Sequence, residues 1–219
     1  MISILMPSRG RYELAKGSVE ILDEKAKWKD SFEVLVAADT DDASPYEDML
    51  VDKRFRVYRY ERKGYPNLHE YYNDLGFKAN GEWLFVWNDD CTMLADNWDV
   101  KINKFAGKFL ALAPIPLRMK RRKLRHPKRL KTLFPIVPRK WLEVVGRISG
   151  HCATDTWVEY VAQEVGNYER IDLDIINKTI DDETTRHTPN RISFHSELMR
   201  KEREKDTLRL KGYLDETRN

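Results

Sequence analysis

The chain has 219 residues, of which 41% are hydrophobic and 34% charged, and its net charge is +3. This size and composition predict a globular protein with one domain, or one domain and a small appendage. No apolar run approaches a membrane span, and the first residues lack the apolar core of a signal peptide. Two cysteines, Cys91 and Cys152, cannot form a disulfide framework, and no Cys/His spacing is typical of zinc. We therefore expect a cytoplasmic protein without stable membrane insertion.

Predicted strands and helices alternate along the chain. Strands are expected at residues 2–6, 33–38, 55–60, 83–87 and 109–113. Helices are expected at about 11–28, 67–79, 97–106, 138–146 and 155–165. The alternation predicts an α/β fold whose central sheet is mostly parallel and flanked by helices. Residues 168–180 contain a candidate late strand.

The strand predicted at residues 83–87 ends in an acidic signature. Its five residues are all apolar, which is typical of a buried central strand, and Asn88, Asp89 and Asp90 follow directly. Buried acids need a metal, a cation or water, and open α/β sheets bind ligands at this edge. Asn88 and Asp90 point to the same side of an extended strand, which suits a divalent ion bridging phosphate oxygens. An ordinary acidic turn is the alternative.

Two amino-terminal motifs and the residues before this strand resemble the nucleotide-sugar glycosyltransferases of the GT-A fold, especially the family 2-like group. The first strand is followed by Pro7-Ser8-Arg9-Gly10-Arg11, which is similar to the first donor-binding loop of that group. The second strand ends at Asp39, like the acid that contacts base or ribose there. Asn73 and then Ala79-Asn80-Gly81-Glu82-Trp83 lead into the acidic signature, as an Asn-bearing helix does in that group.

The resemblance covers roughly residues 1–100 and implies a GT-A fold over residues 1–195. Residues 1–100 would form the donor-binding half and residues 101–195 the acceptor half, with a charged helix or tail at 196–219. The implied donor is a nucleotide sugar, with a UDP-sugar expected, and the implied metal is Mn²⁺ or Mg²⁺. The implied donor-binding residues are Pro7, Ser8, Arg9, Arg11, Asp39, Asn73, Asn88 and Asp89. The implied metal ligand is Asp90.

One departure from the family pattern concerns the first acid of its Asp-x-Asp motif. That position is Asn88 here. An amide oxygen accepts a ribose hydrogen bond or ligates a metal, but it brings no negative charge. The family also has a late metal or phosphate contact, for which His187 and Asn177 are the candidates, and His187 is chemically the better one.

The residue expected to act as catalytic base is Asp155, just before the apolar periodicity of the predicted helix at 155–165. In inverting GT-A enzymes an acid after the acceptor loop removes the proton of the acceptor hydroxyl, and the resemblance implies this role here. A helix N-cap at Thr154 or Asp155 is the structural alternative. His151 is a second candidate base because its ordinary pKa lies near neutrality.

Basic residues are concentrated between residues 118 and 131. Nine of these fourteen residues are Lys or Arg, and none is acidic. Such a patch favours polyanions, although a solvated loop and an anionic membrane surface are alternatives. Together with the resemblance to short glycosyltransferases of bacterial viruses, it suggests hydroxymethylated DNA as the acceptor and the host cytoplasm as the location. A polysaccharide or small-molecule acceptor is the alternative.

Two other classes of protein compete with the glycosyltransferase interpretation. A nucleotidyltransferase uses a similar sheet and acidic metal site, but Ser8-Arg9-Gly10-Arg11 is a poor glycine-rich phosphate loop. A non-catalytic polyanion-binding module would have structural acids only. The tail from Ser196 is dominated by charge, and we expect a solvated helix docked through Leu198, Leu208 and Leu210.

Overall fold

The computed structural model describes residues 1–49, 53–114, 134–178 and 192–218. The strands are β1 (Ile2–Pro7), β2 (Phe32–Asp39), β3 (Phe55–Tyr60), β4 (Trp83–Val86), β5 (Cys91–Met93), β6 (Ala111–Pro114), β7 (Ile136–Pro138), β8 (Tyr168–Ile171) and β9 (Ile175–Asn177). The helices are α1 (Tyr12–Lys25), α2 (Leu68–Lys78), α3 (Trp98–Asn103), α4 (Arg139–Val145), α5 (Thr154–Val165) and α6 (Glu197–Arg218).

Seven strands form the central sheet in the order β3-β2-β1-β4-β7-β6-β8. The first four are mutually parallel, with Ile4 opposite Val34 on one side and Phe85 on the other. β7 runs antiparallel to both β4 and β6, whereas β6 and β8 are parallel. β5 and β9 pair separately as a small antiparallel ribbon. The predicted GT-A architecture, a mostly parallel sheet between helices, is confirmed.

The central strands are mostly apolar because helices cover both faces of the sheet. Alternate residues of β1 serve opposite faces, so Ile4 packs in the cluster that contains Leu22 of α1. Leu5 packs on the other face in the cluster that contains Leu75 of α2 and Val158 of α5. Both faces being closed, polar chemistry is confined to the ends of the strands.

The turn from α2 into β4 requires glycine. A Cβ atom at Gly81 would lie 2.5 Å from Ser3 Oγ and 2.7 Å from the Ser3 nitrogen. The Gly81 N–H instead donates to Ser3 Oγ at 2.8 Å, and Ser3 Oγ donates to Glu33 Oε1 at 2.6 Å. The close approach of this turn to β1 places β4, and hence the acidic signature, beside the first strand.

Several predicted element bounds differ from the structure. α1 ends at Lys25, three residues early, because Ala26 adopts an extended backbone with ψ of 138°. β7 was not predicted. It has only three residues, and the last of them, Pro138, was assigned to the helix expected at 138–146. The late strand within 168–180 is two strands, β8 and β9.

Helix α6 docks through polar groups, so the expected anchors were partly wrong. Leu210 is fully buried as predicted, but Leu198 and Leu208 are 54% and 68% exposed. Arg147, in the loop after α4, forms a two-pronged ion pair with the fully buried Asp206 of α6 at 3.0 and 2.8 Å. Trp157 Nε1 of α5 donates to the same carboxylate at 3.0 Å. The spacing of apolar residues in α6 does not reveal this interface, because the buried face of the helix carries charged residues.

Across the described ranges, no helix combines the length and the apolar character needed to cross a bilayer.

Candidate active site

The carboxyl ends of β1, β2 and β4 meet at one edge of the sheet, and hydrogen bonds join them there. Ser8, after β1, donates from Oγ to Asp89 Oδ2 at 2.7 Å. Tyr46 OH lies 2.9 Å from Ser8 Oγ and accepts the Arg11 backbone N–H at 3.3 Å. Because an ionised carboxylate only accepts, the proton of Ser8 points to Asp89 and the proton of Tyr46 points to Ser8. The loop after β1 is therefore fixed to the acidic signature.

Asp89 is held by the protein itself. Besides Ser8, Arg11 Nη1 approaches its Oδ1 at 3.3 Å. Burial raises the pKa of the Asp89 carboxyl, while the hydrogen bond from Ser8 and the charge of Arg11 act in the opposite direction. Asp89 thus orders the loop 7–11, and its expected contact with ribose or sugar stays a prediction.

Asp39, at the end of β2, receives donors on both oxygens. Arg9 Nη1 donates to Oδ2 at 2.8 Å, and the Tyr71 hydroxyl of α2 donates to Oδ1. Arg9 also binds Asp41, with Nη2 at 3.0 Å from Oδ2. Pro7 ends β1 opposite Ala37, directly beside this group. Three predicted nucleotide-binding residues, Pro7, Arg9 and Asp39, are therefore neighbours.

Asn88 and Asp90 occupy the turn between β4 and the ribbon. The Tyr72 hydroxyl of α2 lies 2.9 Å from Asn88 Oδ1 and 3.1 Å from the Trp87 carbonyl oxygen. The Asp90 carbonyl accepts the Lys178 N–H at 3.1 Å. In the ribbon, Cys91 pairs with Asn177, so Asn177 lies one position from Asp90.

Asn177 and His187 are the two candidates for the predicted third metal contact, and the structure describes only the first. Asn177 lies at the end of the ribbon, opposite Cys91 and next to the turn that bears Asp90, whereas His187 lies outside the described residues, as does the basic segment 118–131. Within the ranges described, no group of three or more His, Cys, Asp or Glu side chains is placed to hold a metal. A metal here would need oxygens from a ligand in addition to Asp90.

The side-chain amide of Asn73 binds backbone groups that lie away from the strand ends. Its Oδ1 accepts the N–H groups of Ile148 and Ser149 at 2.8 and 3.2 Å, and its Nδ2 donates to the Ser149 carbonyl at 2.9 Å. The Asn73 amide therefore links α2 to the segment before α5. Its predicted contact with a nucleotide stays a prediction.

Asp155 lies in the first turn of α5 and is not a helix cap. The N-cap residue is Ala153, and no side chain caps the helix. The Asp155 carboxylate accepts only the local Thr156 N–H at 2.7 Å and Thr156 Oγ1 at 3.3 Å among the bonds of the described chain. Burial raises the pKa of the Asp155 carboxyl, and these hydrogen bonds oppose the shift. A carboxylate with a raised pKa is suited to accept a proton.

The Tyr72 hydroxyl lies against the acidic signature, since it contacts Asn88 Oδ1 at 2.9 Å. Burial raises the pKa of this hydroxyl well above its usual value. That Asp155 and the acidic signature serve one site stays a prediction.

His151, the second candidate base, has both ring nitrogens engaged. Its Nδ1 accepts the Ala153 N–H at 3.0 Å, so Nε2 carries the proton that is donated to the Ile192 carbonyl at 2.8 Å. A ring nitrogen that already accepts a backbone N–H is not free to take a proton from an acceptor. Both ring nitrogens of His151 thus serve contacts within the protein, which favours Asp155 over His151, and the choice of base stays a prediction.

Sequence reasoning missed three tyrosines of the site. None of Tyr46, Tyr71 and Tyr72 was predicted to belong to the site. Each hydroxyl contacts a residue 16 to 38 positions away in the chain, so local spacing gives no sign of the contact. The available signal was the position of Tyr71 and Tyr72 near the start of α2, at the same edge as the strand ends.

Solved structures that are similar to this fold include three glycosyltransferases. The mannosyltransferase PcManGT of Pyrobaculum calidifontis, in complex with GDP-Man and Mn²⁺, is 16% identical with a TM-score of 0.62 over 78% of this chain. TarS 1–349 of S. aureus with UDP-GlcNAc is 13% identical with a TM-score of 0.61 over 86% of it. GalNAc-T7 with UDP, GalNAc and Mn²⁺ is 12% identical with a TM-score of 0.60 over 80% of it.

The alignments cover 54%, 61% and 43% of these three chains, so this protein spans about half of their length. No protein-family model matches the sequence, and no curated protein matches it either. The likeness therefore shows the fold, which is the GT-A fold of nucleotide-sugar glycosyltransferases.

Proposed function

We propose that this protein is a glycosyltransferase that moves a sugar from a nucleotide sugar to an acceptor hydroxyl with the help of a divalent metal. The proposal is carried by one observation. Polar groups from the ends of β1, β2 and β4 are joined by hydrogen bonds at one edge of the sheet, where Ser8 binds Asp89 and Arg9 binds Asp39. The GT-A fold supports this chemistry, because PcManGT and TarS, which have a similar fold, bind nucleotide sugars.

The donor is proposed to be a UDP-sugar. Pro7, Ser8, Arg9, Arg11 and Asp39 would surround the nucleotide, and Asn88 with Asp89 the ribose and sugar. Arg9 and Asp39 support this assignment because they lie side by side, offering a donor and an acceptor at the strand ends. UDP-GlcNAc and UDP are bound in TarS and GalNAc-T7, while PcManGT binds GDP-Man.

Asp90 is proposed to hold Mn²⁺ or Mg²⁺, with Asn177 or His187 as a further contact. The residues present fit such an ion as part of its ligand set. They offer one carboxylate and nearby amide oxygens, and phosphate oxygens of the donor would supply the remaining ligands. When bound, the ion would neutralise charge on the diphosphate leaving group. The protein's own share is to orient the diphosphate through the loop that Ser8 fixes to Asp89.

In the proposed reaction Asp155 acts as general base. Its carboxylate takes the proton of the acceptor hydroxyl, and the acceptor oxygen forms a bond to the anomeric carbon. The bond from that carbon to the diphosphate oxygen breaks, and its electron pair leaves with the nucleoside diphosphate. Attack from the face opposite the leaving group inverts the anomeric centre.

The proposed acceptor is nucleic acid with a hydroxyl-bearing modified base, as in the DNA of bacterial viruses. The observation that favours it is the cluster of nine basic residues among the fourteen of segment 118–131, which suits phosphate contacts. DNA retention should fall steeply with salt. Transfer to a small molecule by a protein that is not retained on DNA would contradict this acceptor.

The experiment that tests the function is a thermal-shift screen of nucleoside diphosphates and nucleotide sugars with and without Mn²⁺, followed by mass spectrometry of donor turnover. We expect the melting temperature to rise with the logarithm of ligand concentration. Formation of a nucleotide sugar from a nucleoside triphosphate and a sugar phosphate would instead indicate a nucleotidyltransferase. Absence of any stabilisation would contradict the proposal.

A further inference from the structure

Tyr71 connects the end of β2 to the loop that precedes α2. Its hydroxyl accepts the Lys63 backbone N–H at 2.8 Å and contacts Asp39 Oδ1. A backbone N–H only donates and an ionised carboxylate only accepts, so the hydroxyl proton has a single direction, toward Asp39. Burial, and then the hydrogen bond to Asp39, raise the pKa of Tyr71 to about 12, so this proton is retained at neutral pH.

Asp39 is consequently fixed from two sides. Tyr71 binds Oδ1 and Arg9 Nη1 binds Oδ2 at 2.8 Å. A carboxylate has about four lone-pair sites, so each oxygen retains room for another donor. The Asp39 side chain is 6% exposed and that of Arg9 30% exposed, so Arg9 forms the more open side of the pair. Arg9 also binds Asp41, and a base placed beside the pair would meet an oriented acceptor next to this guanidinium.

The Asp39–Arg9 pair would distinguish nucleobases by one atom, the hydrogen on a ring nitrogen. Uracil N3–H and guanine N1–H each offer a ring N–H beside a carbonyl oxygen, which pair with a carboxylate and a guanidinium. Cytosine N3 and adenine N1 carry a lone pair at the same place, which would face the carboxylate without a proton between them. A site built to accept a hydrogen bond strongly rejects an analogue that lacks the donor.

We propose that Tyr71 is a positioning residue for base selection, which holds the Asp39 carboxylate so that the site takes a nucleobase with a ring N–H. This inference rests on the proposed function, since it concerns the nucleotide of the same donor. Tyr71 does not touch the base. It acts through Asp39, and its removal should change the ratio of affinities between bases.

Tyr60 provides a matched control for Tyr71. The two rings are in edge contact with centroids 5.7 Å apart. The Tyr60 hydroxyl is buried and finds no hydrogen-bond partner in the part of the chain that is described. Tyr60→Phe therefore deletes the same atom from the same surroundings without losing a bond, whereas Tyr71→Phe keeps the ring and loses the bonds to Asp39 and Lys63.

The test is calorimetric titration of the full chain with UDP, GDP, CDP and ADP in the presence of Mn²⁺. The natural protein should bind UDP or GDP at least about tenfold more tightly than CDP and ADP, and the comparison of UDP with GDP distinguishes uracil from guanine. Tyr71→Phe should reduce this ratio by about tenfold, the size of one strong hydrogen bond. Tyr60→Phe should leave the ratio within about twofold.

Asp39→Asn gives a second, positive readout because an amide N–H can donate to cytosine N3. We expect this variant to gain relative affinity for CDP. If the natural protein binds UDP and GDP selectively but Tyr71→Phe behaves like Tyr60→Phe, the inference about Tyr71 is wrong and the proposed function stands. If Asp39→Asn retains the original preference, the inference is wrong as well. If the natural protein binds no nucleoside diphosphate, both proposals are wrong.

Discussion

Ser8 Oγ donates a 2.7 Å hydrogen bond to Asp89 Oδ2 and so ties the loop after β1 to the acidic turn after β4. The two residues are 81 positions apart in the chain. Ser8→Ala should leave a buried carboxylate without this donor, which destabilises the fold by about 1–3 kcal/mol. It should also weaken UDP binding, because the loop that bears Arg9 and Arg11 loses its anchor. Urea unfolding and calorimetry measure the two effects.

Ser31→Ala is the control for this change. Ser31 Oγ donates at 2.9 Å to Asp99, another fully buried carboxylate, beside the amino end of β2 and away from the site. A similar loss of stability with unchanged UDP affinity is expected there. Equal losses of UDP affinity in both variants would mean that Ser8 acts on stability alone.

Asp155→Asn should abolish base catalysis. General bases contribute about 10²–10⁴-fold to rate, so kcat should fall by that range while the affinity for UDP is retained. Because burial raises the pKa of Asp155, the acidic limb of kcat/KM against pH should lie above the range of an ordinary aspartate. Glu164→Gln, an exposed acid on the same helix, should keep both rate and profile. A pH limb at the ordinary aspartate value would contradict the assignment.

The same substitution should stabilise the folded protein at neutral pH. A carboxyl whose pKa is raised on folding lowers stability progressively as pH rises from its unfolded pKa to its folded pKa, and above both the loss is constant. Asp155→Asn removes this loss, so its melting temperature should exceed that of the natural protein by about 2–4 °C per kcal/mol recovered. The difference should vanish below the ordinary pKa of aspartate. A difference that is equally large at both pH values would point to another cause.

Asp90→Ala should raise the Mn²⁺ concentration needed for half-maximal turnover by at least about tenfold, because one carboxylate ligand and its charge are lost. The readout is donor turnover against Mn²⁺ concentration. Asp96→Ala is the control, since Asp96 is an exposed acid paired with Lys25 at 2.9 Å. Unaltered Mn²⁺ dependence in Asp90→Ala would place the ion elsewhere.

Asp206→Ala should destabilise the protein by about 3 kcal/mol, because it leaves Arg147 and Trp157 Nε1 without their shared partner. Glu197→Ala breaks the exposed Lys201–Glu197 pair on the same helix and should cost less than about 1 kcal/mol. Urea unfolding of both variants tests this contrast. Similar midpoints for the two variants would show that the buried ion pair contributes little.

The sequence predicted the parts of the site that are local in the chain. The apolar run from Trp83 to Trp87 has to be buried, so the acids that follow it have to lie at a sheet edge. Asp155 precedes a clear helical period, but its role as base came from the resemblance to GT-A enzymes and stays a prediction. The GT-A fold, which the same resemblance implied, is confirmed.

Contacts between residues that are far apart in the chain could not be predicted from the sequence. The partners of Tyr46 and Tyr71 are 38 and 32 positions away, and a tyrosine in an apolar pattern is indistinguishable from a packing residue. β7 is too short for a period and ends in Pro138. The docking face of α6 was missed because it contains Arg203 and Asp206, and charge was taken as a sign of exposure.

The docking face of α6 has a practical consequence for shortened versions of the protein. A chain that stops before Glu197 would leave the Arg147 guanidinium and the Trp157 ring nitrogen without Asp206, and it would uncover the core residues that pack against Met199 and Leu210. Such a fragment would expose apolar surface and a charge that has lost a partner at the same place. Versions of the protein trimmed for crystallisation should therefore keep α6.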